Sequence, residues 1–500
     1  MWAELWKEAP EAEWWIAGGI AAGIVGLIGI SELIRKAWGA SPEGSRKFLH
    51  VAVGLLLVSS LGLFSRPLPL LTLGALFVVL NIATVRAGML KGIHGTARFS
   101  YGTVWYAVSF VLVVALFWYR EPVIVLLSML VMTLGDSAAA VVGAYRRNPT
   151  WYALTSDQKS FEGSAAMFLV SFFVLLSGLL QTLRPEDVRI DFVLACAGVT
   201  AATATAWEAL SSRGLDNLAV PLSVALFLSF FLLPNPRMDI QQLTIGAALA
   251  INIAVASHHT ALLTASGAVA AFLVGTVVFG VGGWQFSVPM LAFFILSSLL
   301  SKVGADRKSR MADVLEKAGA REYSQVFANG GLAGLLVLAW YWFPEWDSYP
   351  LYGGALAAVA ADTWGTEVGV LSNGRTVQLP RFTPVPPGTD GGVSLAGLGA
   401  GLTGSLVIAM SSVSWMGGAM VGWILLAGAA GMTVDSLLGS TVQAQYRCSL
   451  CDAVTGKQLH CNRPAVLEKG WRWVNNDIVN WICAGTGAAV MALIQIVRES

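Results

Sequence analysis

Long apolar runs separated by short polar segments make up most of this 500-residue chain. A bilayer core about 30 Å thick needs roughly 20 apolar helical residues to cross it, and many of the runs have about that length. We count about sixteen such runs and predict an all-α, polytopic bundle of transmembrane helices. The runs lie near residues 14–36, 48–64, 68–85, 101–118, 122–144, 161–181, 190–208, 217–233, 240–257, 261–280, 286–301, 325–343, 351–371, 392–411, 416–437 and 477–497.

Composition supports this prediction and limits the partners. Hydrophobic side chains make up 56% of the chain and charged ones 12%, whereas soluble proteins carry about 25% charged residues. The net charge of +1 offers no bulk attraction to a polyanion, so we expect membrane lipids and no nucleic acid. The oligomeric state stays open.

Basic residues gather in a few loops. Cytoplasmic loops carry an excess of Lys and Arg, so we expect these loops to face the cytoplasm. This predicts an integral protein, with a bacterial inner membrane as its location and active sites on the cytoplasmic side. The loops are 35–47, 86–98, 146–159 and 301–322.

The chain also contains an internal repeat. GDSAAAVVG (135–143) corresponds to ADTWGTEVG (361–369), and Asp136 and Asp362 each precede a glycine by seven residues. Polar loops ending in KSFEGSAA and PPGTDGGVSLAG follow, and we align Gly163, 27 residues after its aspartate, with Gly391, 29 residues after its own. The repeat predicts two related membrane modules, 1–239 and 240–500.

A polar insertion distinguishes the second module. WEALSSRGLDNLAVPL (207–222) has a counterpart split into VDSLLGS (434–440) and NNDIVN (475–480). The insertion near 440–475 contains Cys448, Cys451, His460 and Cys461. These ligand types predict a possible zinc site, and the alternative is a loop of reduced, metal-free thiols.

Acidic residues lie within or at the edges of the apolar runs. Such groups cost about 2.5–3.5 kcal/mol each at membrane depth and therefore often mark a functional path. They could converge on Mg²⁺ that holds substrate phosphates, or each could cap a helix or pair with an arginine. They are Asp136, Glu162, Glu208, Asp216, Asp362, Glu367, Asp435 and Asp477.

Candidate phosphate-binding groups lie beside these acids. Lys159 precedes a helix start that Ser160 could cap, and free N–H groups at such a start attract phosphate. The glycine-rich loop of the second module has no lysine, so Lys302, Lys308 or Arg321 would have to supply a cation. Arg46, Lys47 and His50 could bind phosphate or serve only as a positive-inside anchor.

Familiar soluble kinase motifs, including the phosphate-binding G-x-x-x-x-G-K-[ST] loop, are absent from the sequence, as is H-E-x-x-H. The motifs that are present indicate another class. RKFLH, GDSAAAVVG, KSFEGSAA and EALSSRGLDNLAVP, within roughly residues 40–235, resemble the phytol kinase and dolichol kinase family of polyprenol kinases. ADTWGTEVGVLS, VPPGTDGGVSLAG, DSLLGSTVQ, CSLC and NNDIVN, within roughly 240–500, resemble the DUF92 family, which includes plant phytyl-phosphate kinase.

The two resemblances imply a bifunctional enzyme that converts phytol, or a related prenol, to the monophosphate and then to the diphosphate. The implied donor is CTP or another nucleoside triphosphate, with Mg²⁺, and the product would supply tocopherol, quinone or chlorophyll synthesis. The implied partners are a prenyl alcohol and its monophosphate within the bilayer. A CDP-lipid synthase and a lipid transporter or flippase are the alternatives.

Site residues follow from the matching motifs. The predicted catalytic residues are Asp136, Lys159, Glu162, Asp362 and Glu367. The predicted Mg²⁺ ligands are Asp136, Glu162, Asp362, Asp435 and Asp477. The predicted substrate-binding or nucleotide-binding residues are Arg46, His50, Ser160, Gly163, Asp216, Asn217, Lys302, Gly388, Thr389, Asp390, Gly391 and Asn476.

Overall fold

A computed structural model of the chain describes residues 2–38, 42–87, 100–183, 189–304 and 319–499. The chain divides into two compact units, Met1–Ile240 and Gln241–Ser500, and each is described by itself. Lys308, one candidate cation for the second module, lies outside the described residues.

The first unit consists of apolar helices and one short hairpin. A π-helical turn, Val131–Gly135, joins two of the helices end to end. The elements are α1 (Trp2–Leu5), α2 (Glu11–Trp38), α3 (Pro42–Ser60), α4 (Leu68–Arg86), α5 (Gly102–Phe117), α6 (Pro122–Leu130), α7 (Asp136–Tyr145), β1 (Trp151–Ala153), β2 (Gln158–Ser160), α8 (Phe161–Thr182), α9 (Ile190–Leu210) and α10 (Asp216–Leu232).

The second unit has longer polar connections that form small antiparallel sheets. A π-helical segment, Thr276–Val281, extends its second helix. The elements are α11 (Ile240–His259), α12 (Ala265–Gly275), α13 (Gly283–Lys302), α14 (Tyr323–Trp342), α15 (Tyr349–Gly369), β3 (Thr376–Gln378), β4 (Thr383–Pro384), β5 (Gly392–Ser394), α16 (Leu395–Met416), α17 (Val421–Thr441), β6 (Gln445–Arg447), β7 (Val454–Thr455), β8 (Leu459–His460), β9 (Arg463–Pro464), β10 (Val466–Lys469) and α18 (Asn476–Glu499).

The all-α membrane fold class is confirmed. Within the described residues, 11 helices are long and apolar enough to cross a membrane, and three shorter helices are also apolar. Every run predicted from the sequence coincides with a helix. The number of about sixteen spans stays a prediction.

Helix α15 forms the core of the second unit. All of its residues from Tyr349 to Ala361 are buried, and it packs against α16, α17 and α18. Small residues permit this close packing, because a Cβ on Gly354 would lie 2.5 Å from the Gly487 carbonyl oxygen of α18. A helix that is apolar on all sides suits an interior position.

The repeat is visible in the order of elements. In the first unit α7, the β1–β2 hairpin, α8 and α9 follow one another, and in the second α15, the β3–β5 sheet, α16 and α17 do so. Ser160 caps α8 by accepting a hydrogen bond from the Gly163 N–H at 3.1 Å, and Ser394 caps α16 through Gly397 at the same distance.

These caps correct the alignment of the glycines. Gly397, and not Gly391, occupies the position of Gly163. Spacing along the chain favours Gly391, because Gly163 and Gly391 lie at nearly equal distances from Asp136 and Asp362. The second unit has an additional strand before the cap, which moves the equivalent glycine further along the chain.

Candidate active sites

A cavity of about 710 Å³ opens among the helices of the first unit. Its lining changes from charged and polar to apolar side chains along the helices. On α3 the lining begins with Lys47 and His50 and continues with Val53 and Leu57, and on α4 it runs from Asn81 to apolar side chains. The cavity therefore combines a charged region with an apolar interior.

Asp136 lies in the charged region at the start of α7. The π-helical turn just before it changes the helical register, a feature that is frequent at functional sites. Asp136 is 8% exposed. Lys47 Nζ donates to Asp136 Oδ2 at 2.5 Å, and His50 Nε2 lies 3.9 Å from the same oxygen.

A second charged cluster joins β2 to α9 and α10. Lys159 Nζ lies 2.5 Å from Glu208 Oε1 and 3.5 Å from Asp216 Oδ2. Burial opposes the positive charge, but these two carboxylates outweigh it and raise the pKa of Lys159 above its usual value. The other oxygen, Glu208 Oε2, is buried and has no hydrogen-bond partner among the residues that the structure describes.

Most of the predicted residues of the first module line this cavity. Asn217 Nδ2 donates to Asp216 Oδ1 at 2.9 Å and so orients that carboxylate. Lining residues from the prediction are Arg46, His50, Asp136, Lys159, Ser160, Gly163, Asp216 and Asn217.

Glu162 is not brought to this cavity. Its carboxylate lies in the first turn of α8 and accepts a hydrogen bond from the Thr150 N–H at 3.0 Å. Arg146 Nε lies 3.9 Å from it. Glu162 therefore stabilises the start of the hairpin, whereas Glu208 lines the cavity.

In the second unit, Asp362 of α15 and Asp435 of α17 form a carboxyl pair. Their side chains lie at hydrogen-bond distance, and within the described part of the chain Asp435 Oδ2 is buried without a hydrogen-bond partner. Two carboxylates this close repel each other unless a proton or a cation lies between them.

Asp390 extends this acidic cluster from the glycine-rich loop. Gln445 Nε2 donates to Asp390 Oδ2 at 3.0 Å, and Lys469 is close enough to affect its charge. Burial raises the pKa of Asp390, although the Gln445 hydrogen bond and the Lys469 charge oppose this effect. Gln445 of the polar insertion therefore hydrogen-bonds to the predicted site, and the charge of Lys469 acts on it.

The glycine-rich loop is held against α17. Gly391 has a φ of +72°, and a Cβ there would lie 2.4 Å from the Ser436 carbonyl oxygen. Gly388 also has a positive φ of 87°, and Thr389 Oγ1 donates to the Pro386 carbonyl at 2.8 Å. The glycines thus allow a tight turn and a close contact with a helix.

The remaining predicted residues of the second module lie at helix ends. Glu367 is close to the buried guanidinium of Arg321, and burial lowers the pKa of that arginine. Lys302 is the last residue of α13, and Asn476 and Asp477 begin α18. No described contact places Glu367 or Lys302 with the Asp362–Asp435 pair.

The four Cys and His side chains of the insertion come together. One ligand atom from each residue lies within 4.8 Å of all the others. The four residues are Cys448, Cys451, His460 and Cys461.

Two acidic residues of the first unit are equivalent in the repeat to the Asp362–Asp435 pair. Asp136 and Glu208 are 72 residues apart, and Asp362 and Asp435 are 73 apart. The two acids of each unit lie on equivalent helices, α7 and α9 in the first unit and α15 and α17 in the second. Among the described residues, one carboxylate oxygen in each unit, Glu208 Oε2 or Asp435 Oδ2, is buried without a hydrogen-bond partner. Glu208 is among the acids that the sequence offers for Mg²⁺ but not among the five predicted ligands, although its spacing from Asp136 nearly equals that between Asp362 and Asp435.

The acidic residues of both units have the oxygen ligands that Mg²⁺ requires. Mg²⁺ prefers oxygen ligands and is usually bound by one or two carboxylates together with substrate phosphates. Glu208 Oε2 and Asp435 Oδ2 are spare carboxylate oxygens of this kind.

Known proteins that are similar to this chain include an integral membrane family and a kinase. The family model described as integral membrane protein DUF92 matches residues 248–488. Protein PGR of Arabidopsis thaliana is 34% identical over 232 residues, covering 41% of this chain and 80% of that protein. Phytol kinase of Synechocystis sp. is 33% identical over 215 residues, covering 42% of this chain and 90% of the kinase. Protein VTE6, chloroplastic, of Arabidopsis thaliana is 27% identical, covering 47% and 65% respectively. No solved structure matches the chain.

Proposed function

The chain belongs to the DUF92 family of integral membrane proteins and is a relative of phytol kinase, and from this premise we propose that it phosphorylates a prenol twice. The first unit converts phytol or a related prenyl alcohol to the monophosphate. The second unit converts the monophosphate to the diphosphate. CTP, or another nucleoside triphosphate, is the donor for both steps.

The observation that carries this proposal is the two-part cavity of the first unit. A prenyl alcohol is a long apolar chain with one hydroxyl, and the cavity has an apolar interior that leads to Lys47, Asp136 and Lys159. The volume of about 710 Å³ lies within the range of about 300–1,000 Å³ that is usual for small-molecule sites.

In the first step the alcohol oxygen attacks the terminal phosphorus of the donor. The bond from that phosphorus to the bridging oxygen breaks, and the nucleoside diphosphate leaves. Asp136 accepts the hydroxyl proton, and Lys47 and His50 hold Asp136 in place. Lys159 turns from Glu208 towards the donor phosphates and neutralises part of their charge.

Mg²⁺ would be held in the first unit by Glu208 and Asp216, and it would neutralise charge on the donor phosphates. In the second unit Asp362 and Asp435 would hold it. Phosphoryl transfer depends mainly on positioning and charge neutralisation, and both sites provide acidic and basic groups for these purposes.

The second step has a different requirement. Its acceptor is already an anionic monophosphate, and an oxygen of that phosphate attacks the terminal phosphorus of the donor without loss of a hydroxyl proton. The bond from that phosphorus to the bridging oxygen breaks, and the nucleoside diphosphate leaves. Lys469 and Gln445 then position Asp390 and the glycine-rich loop beside the acceptor. We therefore assign no general base to the second unit.

We also propose that the protein lies in a bacterial inner membrane with both sites facing the cytoplasm. The basic loops of the sequence support this orientation. Nucleoside triphosphates are then supplied from the cytoplasm, and the prenol reaches the cavity from the bilayer.

Product analysis tests the proposal. Purified full-length protein in detergent is given phytol, Mg²⁺ and CTP labelled at either the α- or the γ-phosphate. Label from the γ-phosphate in phytyl phosphate, followed by phytyl diphosphate, supports it. A CDP-lipid with released diphosphate contradicts it, and absence of turnover with phytol and shorter prenols favours a transporter.

A further inference from the structure

The polar insertion of the second unit contains a compact cluster of three thiols and one imidazole. Cys451 Sγ lies 3.5 Å from His460 Nδ1 and 3.7 Å from Cys461 Sγ, and Cys461 Sγ lies 3.3 Å from His460 Nδ1. All four candidate ligand atoms, including Cys448 Sγ, lie within 4.8 Å of one another.

These separations match tetrahedral zinc. Bond lengths of about 2.3 Å to sulfur and 2.0–2.1 Å to nitrogen place two sulfur ligands about 3.8 Å apart in a tetrahedral site. The same bond lengths place a sulfur and a nitrogen ligand about 3.5 Å apart. Three thiolates and one imidazole form a common ligand set of structural zinc sites.

The backbone explains how adjacent residues serve as two ligands. His460 pairs with Arg463 at the end of the β8–β9 hairpin, and Cys461 and Asn462 form its turn. Both turn residues have positive φ, 49° for Cys461 and 58° for Asn462. A cysteine rarely adopts this conformation, and here it brings Sγ beside the imidazole.

The other half of the cluster is a turn around Cys448. The Leu450 N–H donates to Cys448 Sγ at 3.4 Å. This bond supports a sulfur that carries negative charge, as a thiolate ligand does. Cys448 is buried. The cluster thus combines ligands from two turns, one around Cys448 and one at Cys461 and Asn462.

From this geometry we propose that Cys448, Cys451, His460 and Cys461 bind one structural Zn²⁺ that holds the polar insertion in position at the second site. The ion replaces the apolar core that a segment of this size lacks. A closed set of four protein ligands gives zinc a structural role.

The link to the second site runs through the β6–β10 pair. Gln445 and Lys469 are paired in that ladder, and both act on Asp390. Cys448 directly follows β6 and is three residues from Gln445, about 10 Å along an extended strand. The ion would therefore anchor the strands that present these two side chains.

Metal analysis of the purified full chain tests the zinc site without any activity assay. We expect about one zinc per chain, retained in Cys196→Ala and in His460→Cys, which preserves a four-ligand set. The Cys451→Ser/Cys461→Ser variant should retain less than about a tenth of the zinc. Absence of zinc from the wild type, iron in its place, or a Cys451–Cys461 disulfide found by mass spectrometry would overturn the site.

Proteolysis of the wild type gives a measurement that does not depend on how a variant folds. Lys457 lies inside the insertion and precedes Gln458, and trypsin should cleave after Lys457 at least tenfold faster after a chelator removes zinc. Restored protection on adding Zn²⁺, but not Mg²⁺, is expected. Equal cleavage rates with and without zinc would contradict the structural role.

The effect on the second site rests on the proposed second step. Removal of zinc should lower phytyl phosphate conversion at least tenfold and leave phytol conversion unchanged. Equal rates of the second step with and without zinc would overturn the positioning role while the zinc content still stands. If the untreated protein converts neither substrate, the proposed function fails and the metal analysis is unaffected.

Discussion

Glu208 is the residue that most changes the description of the first site. Glu208→Gln should lower the first step at least 100-fold, because it removes both the charge beside Lys159 and the spare buried oxygen. Turnover of phytol by the purified variant measures this. The matched control is Glu162→Gln, whose exposed hydrogen bond to Thr150 predicts nearly wild-type rates. The opposite ranking of the two variants would restore Glu162 to the site.

Lys469 affects the ionisation of Asp390 in the second site, together with burial and the Gln445 hydrogen bond. Its positive charge lowers the Asp390 pKa, in opposition to burial, which raises it. Lys469→Met should therefore raise that pKa further and move the acidic limb of the second-step pH profile to higher pH. Lys469→Arg should leave the limb in place. If the second-step rate of Lys469→Met falls by the same factor at every pH, with no shift of the acidic limb, this prediction is wrong.

At the scale of elements, the N-terminus of α8 combines a cap with a predicted phosphate site. Ser160→Asp should preserve the cap, since Asp is as good a cap as Ser, but burial of its carboxylate at this 5% exposed position should lower stability by about 1–3 kcal/mol. It should also raise the KM for the nucleotide at least tenfold, because a negative charge then faces the phosphates. Thermal unfolding in detergent and first-step kinetics measure the two effects separately.

The cap of α12 provides the control for that experiment. Thr264 Oγ1 accepts a hydrogen bond from the Gly267 N–H at 3.1 Å and does not line the cavity of the first unit. Thr264→Asp should change neither stability nor the KM for the nucleotide in the first step. An unchanged KM in Ser160→Asp would show that Ser160 serves only as a cap.

At the scale of the whole molecule, the repeat predicts two separable steps. Asp136→Asn should abolish phosphorylation of phytol but leave phytyl phosphate as a substrate. Asp362→Asn should have the opposite effect, with accumulation of phytyl phosphate. Assays with each substrate given alone separate these outcomes, and loss of both steps from either change would indicate a single shared site.

Much of the architecture could be predicted from the sequence because each membrane-spanning helix requires a long run of apolar residues. Each predicted apolar run coincides with a helix, since backbone groups in lipid must be satisfied within the segment. The relation between Asp136 and Asp362 was visible because both helices keep the same spacing to a glycine.

Distances along the chain did not reveal which polar side chains meet. Glu162 is three residues from Lys159, yet it points to Thr150, whereas Glu208 is 49 residues away and touches Lys159. Helix packing places Glu208 and Asp216 in the same cavity as Lys159, and it places Glu162 outside that cavity. The additional strand before Ser394 likewise displaced the glycine that is equivalent to Gly163.

The sequence by itself determined the fold class and the kinds of groups available, because hydrophobic runs and repeated motifs are local properties of the chain. Only the tertiary structure decided which acids form pairs, where the polar wall meets the apolar interior, and how His460 and Cys461 become adjacent ligands. These features depend on the packing of helices and on backbone turns, which bring together residues that are far apart in the chain.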